Sequence, residues 1–219
     1  MTTAVLEART TVSASGWTRL LAPLGGLAIV AGIVAMLVSP AGDDTGETPA
    51  ELVAYAQAHD SWLVAIGLFG VASIALAGAF VAGVHAGLRE VATPTESALI
   101  VAGGIAFTLC FALFLIVWAA PLVDMPDESA LALAQAQAYL SYDDIGWFVF
   151  GAAGVGASVM AVPASFAAIR AGLPKWLGWL GVVAGVLSLG GIAFLGMFAW
   201  MAWFTAASAV MLVARRHRA

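Results

Sequence analysis

The sequence predicts an all-α, polytopic membrane bundle of six transmembrane helices, with both termini in the cytoplasm and two short external amphipathic helices. The chain has 219 residues, of which 63% are hydrophobic and only 10% are charged, so water cannot be its main solvent. Uncharged stretches recur along it, and each approaches the roughly 20 residues that a helix needs to cross a hydrocarbon core. Every Lys and Arg falls in a segment that six spans place on one side of the membrane.

Four stretches are plainly long and apolar enough to span a membrane, and each is bounded by charged or turn residues. They are residues 20–38, 62–88, 98–123 and 145–169. The uncharged stretch 176–214 would be about 58 Å long as one helix, nearly twice the thickness of the hydrocarbon core, so it is predicted to turn. The glycines at positions 190, 191 and 196 are the available breakers. The resulting spans are 176–194 and 197–214.

Basic residues set the orientation, because they are retained on the cytoplasmic side during insertion. Six spans place all eight there: Arg9, Arg19, Arg89, Arg170, Lys175, Arg215, Arg216 and Arg218. Residues 1–19 are then a cytoplasmic tail, and residues 215–219 are a basic cytoplasmic tail. Five spans would instead put the Arg-rich end outside.

The eight tryptophans are predicted to form an aromatic belt, because an indole prefers the level of the lipid headgroups. An aromatic cage around a ligand is the alternative. The inner boundary would hold Trp17, Trp176 and Trp179, and the outer boundary Trp62, Trp118, Trp147, Trp200 and Trp203.

Two external connections are predicted to contain short amphipathic helices. Thr48 is a suitable N-cap, Pro49 suits the first helical position, and Glu51 completes a capping box. An apolar stripe follows on this helix, made of Leu52, Val53 and Ala56. The second such helix, over residues 129–141, follows a Pro-Asp-Glu sequence at 126–128. Both helices could act as lids over the outer end of the bundle.

A shift of 84 residues aligns the first half of the chain with the second. Tyr55 then matches Tyr139, and Asp60 matches Asp144; further matches are Ala54 with Ala138, Gly67 with Gly151, Gly70 with Gly154 and Val71 with Val155. This pattern predicts a duplicated hairpin, in which each unit is a span, an outer helix and a returning span. Chance matching in a chain rich in Ala and Gly is the alternative.

The candidate site for a ligand or a cation lies under these lids. It consists of His59, Asp60, Tyr142, Asp143 and Asp144, which could form an outward-facing polar pocket. The sequence does not specify a metal or a cofactor. The structural alternative is that Asp60 and Asp144 cap returning helices and satisfy their free N–H groups.

Within the membrane, His85 is the clearest ionisable candidate, one helical turn before Arg89. It could be a proton or ligand site, or an interfacial histidine that reaches the headgroups. Cys110, the single cysteine, is interpreted as a small hydrophobic residue. Pro163 is predicted to kink the fourth span, either as a packing feature or as a gate.

One motif resembles a known family. Residues 172–181, Gly-Leu-Pro-Lys-Trp-Leu-Gly-Trp-Leu-Gly, are similar to the LPrWLGWL signature of six-helix bacterial, often actinobacterial, membrane proteins that are classed as a domain of unknown function. Residues 51–59 also look similar to the first external loop of those proteins. The resemblance implies a bacterial cytoplasmic membrane protein. It assigns no functional residue.

Three classes of function fit these features. The first is a non-catalytic protein that binds the lipid bilayer, a ligand or a membrane-protein partner, with homo-oligomerisation a further possibility. The second is a small transporter or channel with an acidic outer mouth. The third is an enzyme that acts on lipid, which is disfavoured because no catalytic motif is present. Nucleic acid is not expected as a partner.

Overall fold

The computed structural model describes residues 16–37, 48–119, 121–123, 125–127, 129–189 and 193–216. Within these ranges the chain contains seven helices and no strand. They are α1 (Gly16–Leu37), α2 (Pro49–Ala58), α3 (Asp60–Leu88), α4 (Pro94–Ala119), α5 (Ser129–Arg170), α6 (Lys175–Leu189) and α7 (Ala193–Arg216). The all-helical class is therefore confirmed.

Four helical segments among the described residues are long and apolar enough to cross a membrane. They are Asp60–Leu88, Pro94–Val117, Ile145–Arg170 and Leu195–Val213. Two more apolar segments, Leu21–Ala35 in α1 and Lys175–Leu189 in α6, are shorter. The structure thus supports a helical membrane protein with four candidate spans rather than the six predicted. At the standard rise, α6 is about 22 Å long, which is less than the thickness of a hydrocarbon core.

Sequential long helices pack antiparallel. In the α1/α3 pair, Gly32 faces Phe69 while the earlier Ala22 faces the later Gly83. In the α6/α7 pair, Gly181 faces Trp203, whereas the later Ser188 faces the earlier Gly196. The α4/α5 pair follows the same rule. One end of the bundle therefore carries Arg89, Arg170 and Lys175, and the other carries α2.

The helices of the structure begin and end at positions that differ from the bounds of the predicted spans. The first helix begins at Gly16 rather than at residue 20, and the third predicted span ends at Ala119, with a turn over 121–123. The last helix begins at Ala193, not at residue 197. The predicted breakers Gly190 and Gly191 lie outside the described residues. Gly196 lies inside α7, where its missing side chain allows close contact with Ser188.

The second external helix is not a separate element. Residues 129–141 are the first turns of α5, a continuous helix of 42 residues. At 1.5 Å per residue it is about 63 Å long, so its N-terminal part extends well beyond the membrane segment Ile145–Arg170. The Ala/Leu/Gln run has high helix propensity and contains no breaker before residue 145, which explains the continuity. Pro163 is buried within α5 and does not end it.

The centre of the bundle is an aromatic core. Phe107 packs against Phe111, Trp200 and Phe204, and Trp200 also contacts Phe150. Trp200 and Trp203 are only 2% and 3% exposed, so their predicted place in an outer aromatic belt was wrong. Four tryptophans are exposed, and for them the belt stays a prediction; these are Trp62, Trp147, Trp176 and Trp179. The side chains of Trp17 and Trp118 lie outside the described part.

Small residues allow the helices of the core to come close. A Cβ at Gly181 would overlap both the Ser165 hydroxyl and the Trp203 indole, so the glycine makes room for the buried tryptophan. One helix turn further, the Ser158 hydroxyl donates to the Gly185 carbonyl across the same interface, at 2.9 Å. Close contact between small residues is the usual way in which membrane helices associate.

Candidate functional site

The end of the bundle that carries α2 is built on a capped helix. The Thr48 hydroxyl accepts a hydrogen bond from the Glu51 N–H at 3.4 Å, and the Glu51 carboxylate accepts one from the Thr48 N–H at 3.1 Å. This reciprocal pair is the predicted capping box. It fixes the start of α2, so that its apolar side faces the N-terminal part of α5.

The two external segments pack against each other in a buried cluster, which we call the lid cluster. Its members are Leu52, Tyr55, Ala56, Leu63, Leu122, Met125, Ala132, Ala136 and Tyr139. The predicted stripe of α2 is confirmed at Leu52 and Ala56, whereas Val53 is half-buried and Tyr55 takes its place. The lid cluster joins Tyr55 and Tyr139, which the 84-residue shift had aligned. The apolar faces of the two predicted lids therefore pack against each other.

The predicted polar pocket does not appear as a cluster in the described part of the site. The Nδ1–H of His59 donates to the Tyr55 carbonyl at 3.0 Å, and the two rings stack with centroids 4.4 Å apart. Asp60 and Tyr142 are exposed. Asp143 and Asp144 belong to α5, but their side chains lie outside the described residues. The His59 ring therefore makes its hydrogen bond and its stacking contact with Tyr55 of α2, the helix that directly precedes it.

No group of three His, Cys, Asp or Glu side chains among the described residues is arranged to hold a metal ion. Asp60 opens α3 as its first residue, a position where a carboxylate opposes the positive end of the helix dipole. The N-cap residue of α3 is His59, and its side chain makes no capping hydrogen bond. The position of Asp60 therefore gives its carboxylate a favourable interaction with the start of α3.

His85 lies at the opposite, basic end of the bundle. It is half-buried in the last turn of α3, and its Nε2 is 2.8 Å from the hydroxyl of Ser97 in the first turns of α4. A histidine nitrogen at this distance from a serine hydroxyl can accept its proton. The sequence alone indicates the histidine but not its partner, because the two residues lie on different helices.

Next to this pair is an ion pair that the sequence analysis missed. Glu96 of α4 pairs with Arg170, the last residue of α5, and Arg170 also donates to the Val91 carbonyl at 3.4 Å. Glu96 accepts from the Thr93 N–H at 2.8 Å, and the Thr93 hydroxyl accepts from the Glu96 N–H at 3.2 Å. The sequence does contain a signal for the cap formed by Thr93 and Glu96, because Thr93-Pro94-Thr95-Glu96 repeats the pattern of Thr48-Pro49-Ala50-Glu51.

The interior between the two ends contains few polar groups. Among the described residues, the buried polar side chains are four serines: Ser73, Ser158, Ser165 and Ser208. Ser158 donates to helix carbonyls, whereas Ser165 and Ser208 have no hydrogen-bond partner. Cys110 is half-buried and packs against the aromatic core. The interior residues that the structure describes therefore form no chain of polar groups from one end to the other.

No family model, curated protein or solved structure matches this chain. The geometry of its own residues is therefore the basis for assigning a function.

Proposed function

We propose that this chain is a non-catalytic, multi-pass protein of a bacterial cytoplasmic membrane that binds a lipid, a ligand or a protein partner. The observation that supports this function is the closed aromatic core. Phe107, Trp200 and Phe204 contact one another at the centre of the bundle, with ring centroids between 5.1 and 5.4 Å apart. A monomeric pore needs polar groups or water along its axis, and this packing leaves no such path through the described residues.

Reconstitution tests the proposal directly. Vesicles that contain the purified protein should leak K⁺ and Na⁺ no faster than protein-free vesicles of the same lipids. Mass spectrometry of protein purified from native membranes should find a lipid, small molecule or protein at a fixed ratio to the chain. Flux that depends on the protein would instead favour the transporter, the alternative with an acidic outer mouth.

The His85–Ser97 pair favours the lipid-acting enzyme as the second candidate. Its 2.8 Å contact is the geometry of a nucleophile and its base, at the level where headgroups would lie. A fluorophosphonate probe, which reacts with activated serines, tests this role. Labelling that is lost in Ser97→Ala and retained in Ser188→Ala would establish the enzyme; an unlabelled chain would exclude an activated serine.

The proposed topology keeps six spans with both termini in the cytoplasm. The antiparallel packing supports an even number of crossings, and Arg89, Arg170 and Lys175 share one end of the bundle. A short α6 can be accommodated by local thinning of the bilayer.

Cysteine labelling tests this topology. In a Cys110→Ser background, cysteines are introduced at the exposed Ala130 of α5, at the exposed Thr95 of α4 and at the C-terminal Ala219. An impermeant maleimide added to intact cells or spheroplasts should label Ala130→Cys alone. Labelling of Ala219→Cys from outside would overturn the six-span topology.

A further inference from the structure

A cavity of about 230 Å³ lies between α1, α3 and α4, in the half of the bundle nearest the lids. Its walls include Gly32 of α1 and Trp62, Ala65, Phe69 and Gly70 of α3. Trp62, Ala65 and Phe69 are exposed at its rim. The cavity therefore opens sideways, on the outer surface of the helix bundle.

Two glycines in the walls of the cavity lie close to side chains of neighbouring helices. A Cβ at Gly32 would lie 3.3 Å from the Phe69 ring, and a Cβ at Gly70 would lie 3.0 Å from a methyl group of Leu115. Larger residues at these two positions would press on those side chains, so the glycines allow α1, α3 and α4 to approach closely beside the cavity. Ala65 at the rim is small and leaves the entrance open.

The walls of the cavity are almost entirely apolar. Among the described residues that line the cavity, Ser73 carries the only hydroxyl group. That hydroxyl donates to the Phe69 carbonyl at 2.8 Å and lies 3.3 Å from the Ala28 carbonyl, so its single hydrogen is already used. Cavities with apolar walls stay dry, and they bind apolar molecules. The apolar lining of the cavity therefore favours a hydrocarbon as the ligand.

The length of the cavity indicates which kind of hydrocarbon it can hold. From Trp62 to Ser73 the cavity follows eleven residues of α3, which is roughly 16 Å at the standard helical rise. This is close to half of a hydrocarbon core of about 30 Å, which is the depth of one leaflet. Trp62, at the entrance, lies near the start of the candidate span Asp60–Leu88, where indoles contact headgroups.

We infer that this cavity is a binding site for one acyl chain of a phospholipid, which enters sideways from the leaflet at the lid end. The inference deepens the proposed function, on which it rests, by naming a lipid as a ligand and placing its chain between α1, α3 and α4. The headgroup stays outside at the level of Trp62, and the chain lies along α3 towards Ser73.

Photolabelling of the full chain tests this site. The protein is reconstituted in phosphatidylcholine and phosphatidylglycerol vesicles that contain phosphatidylcholine with a diazirine near the middle of one acyl chain. After illumination, peptide mass spectrometry measures lipid adducts at each position. We expect more adducts at Gly32, Ala65 and Phe69 than at Leu109 and Leu113, which are exposed on α4 and face bulk lipid.

A matched pair of variants separates the cavity from general contact with lipid. Ala65→Phe places a ring in the entrance, and it should reduce labelling in the cavity to the level at Leu109. Ala82→Phe adds the same ring at an exposed position of α3 nine residues beyond Ser73, and it should leave cavity labelling unchanged. Both positions are exposed, so neither variant should disturb the fold.

Two outcomes would overturn the inference. One is equal labelling at the cavity and at Leu109, with no response to Ala65→Phe. The other is an oxidative crosslink between two copies of an Ala65→Cys variant, made in a Cys110→Ser background, which would identify a second copy as the occupant. Protein-dependent ion flux would contradict the non-conducting function proposed above but would leave the labelling pattern intact, so the two failures are distinguishable.

Discussion

Gly103 of α4 lies against the backbone of Met160 in α5, so closely that a Cβ on the glycine would be 2.5 Å from the Met160 nitrogen. In the neighbouring hairpin, Gly25 of α1 meets Leu76 of α3 in the same way. Leu76 and Met160 are 84 residues apart, the shift that aligns the two halves of the chain. Each of these hairpins thus contains a glycine at a close contact with the backbone of the partner helix, but the two glycines are 78 residues apart rather than 84, so the duplication stays a prediction.

The first prediction concerns this contact. Gly103→Ala should lower the free energy of unfolding by about 1–3 kcal/mol, because the added methyl group meets backbone atoms that cannot rotate away. Gly151→Ala is the control, since nothing lies within 4 Å of a Cβ at that exposed helical position. The control should be neutral or stabilising, because alanine favours a helix over glycine by up to about 1 kcal/mol. Thermal unfolding in detergent gives the comparison; equal midpoints would show that the two helices can separate freely.

The second prediction distinguishes a core tryptophan from an interfacial one. Trp200→Ala should destabilise the fold by about 3–5 kcal/mol, the usual cost of truncating a large buried aromatic residue. Trp179, which is 59% exposed, is the matched control, and Trp179→Ala should change stability far less. The measurement is the denaturant midpoint in mixed micelles. Similar losses for both variants would place Trp200 at the membrane boundary after all.

These tryptophans also show where the sequence was insufficient. A tryptophan near the end of an apolar stretch fits an interfacial belt, and the sequence alone does not show which face of the helix meets its neighbours. Trp203 is buried because Gly181 of another helix leaves space for its ring, and that pairing depends on tertiary contacts. The aromatic core therefore could not be predicted from spacing.

Features that depend on residues close together in the sequence were predicted more reliably than contacts between helices. The capping box at Thr48 and Glu51 was predicted because it depends only on residues three positions apart. The same pattern at Thr93 and Glu96 was overlooked, although the sequence carries it. For the candidate site, His85 was identified from its type and depth, whereas its partner Ser97 could not be, since the contact joins two helices.

The third prediction tests whether the lid cluster holds α2 and the start of α5 together. Leu52→Ala should weaken α2 and the start of α5 together, because Leu52 is fully buried between them and such truncations cost about 2–5 kcal/mol. Hydrogen exchange should become faster in residues 49–58 and 129–139 but not in α6. Gln57→Ala, on the exposed side of α2, is the control. If exchange rose in α2 alone, the two segments would not be coupled.

The fourth prediction separates a helix cap from an ion pair at the basic end. Glu96 takes part in both, since it completes the cap with Thr93 and pairs with Arg170. Thr93→Ala should cost about 1 kcal/mol as a lost cap. Arg170→Gln should cost less, because the arginine side chain is 44% exposed and surface ion pairs contribute about 0–1 kcal/mol.

Glu96→Ala removes both interactions, so its Tm should fall by more than in either other variant. Added salt provides the internal control, because it screens an exposed ion pair but leaves a hydrogen-bonded cap largely unchanged. The difference between wild type and Arg170→Gln should therefore shrink in high salt, while that between wild type and Thr93→Ala should persist. If instead Arg170→Gln matched Glu96→Ala at all salt concentrations, the ion pair rather than the cap would be what fixes the start of α4 against the end of α5.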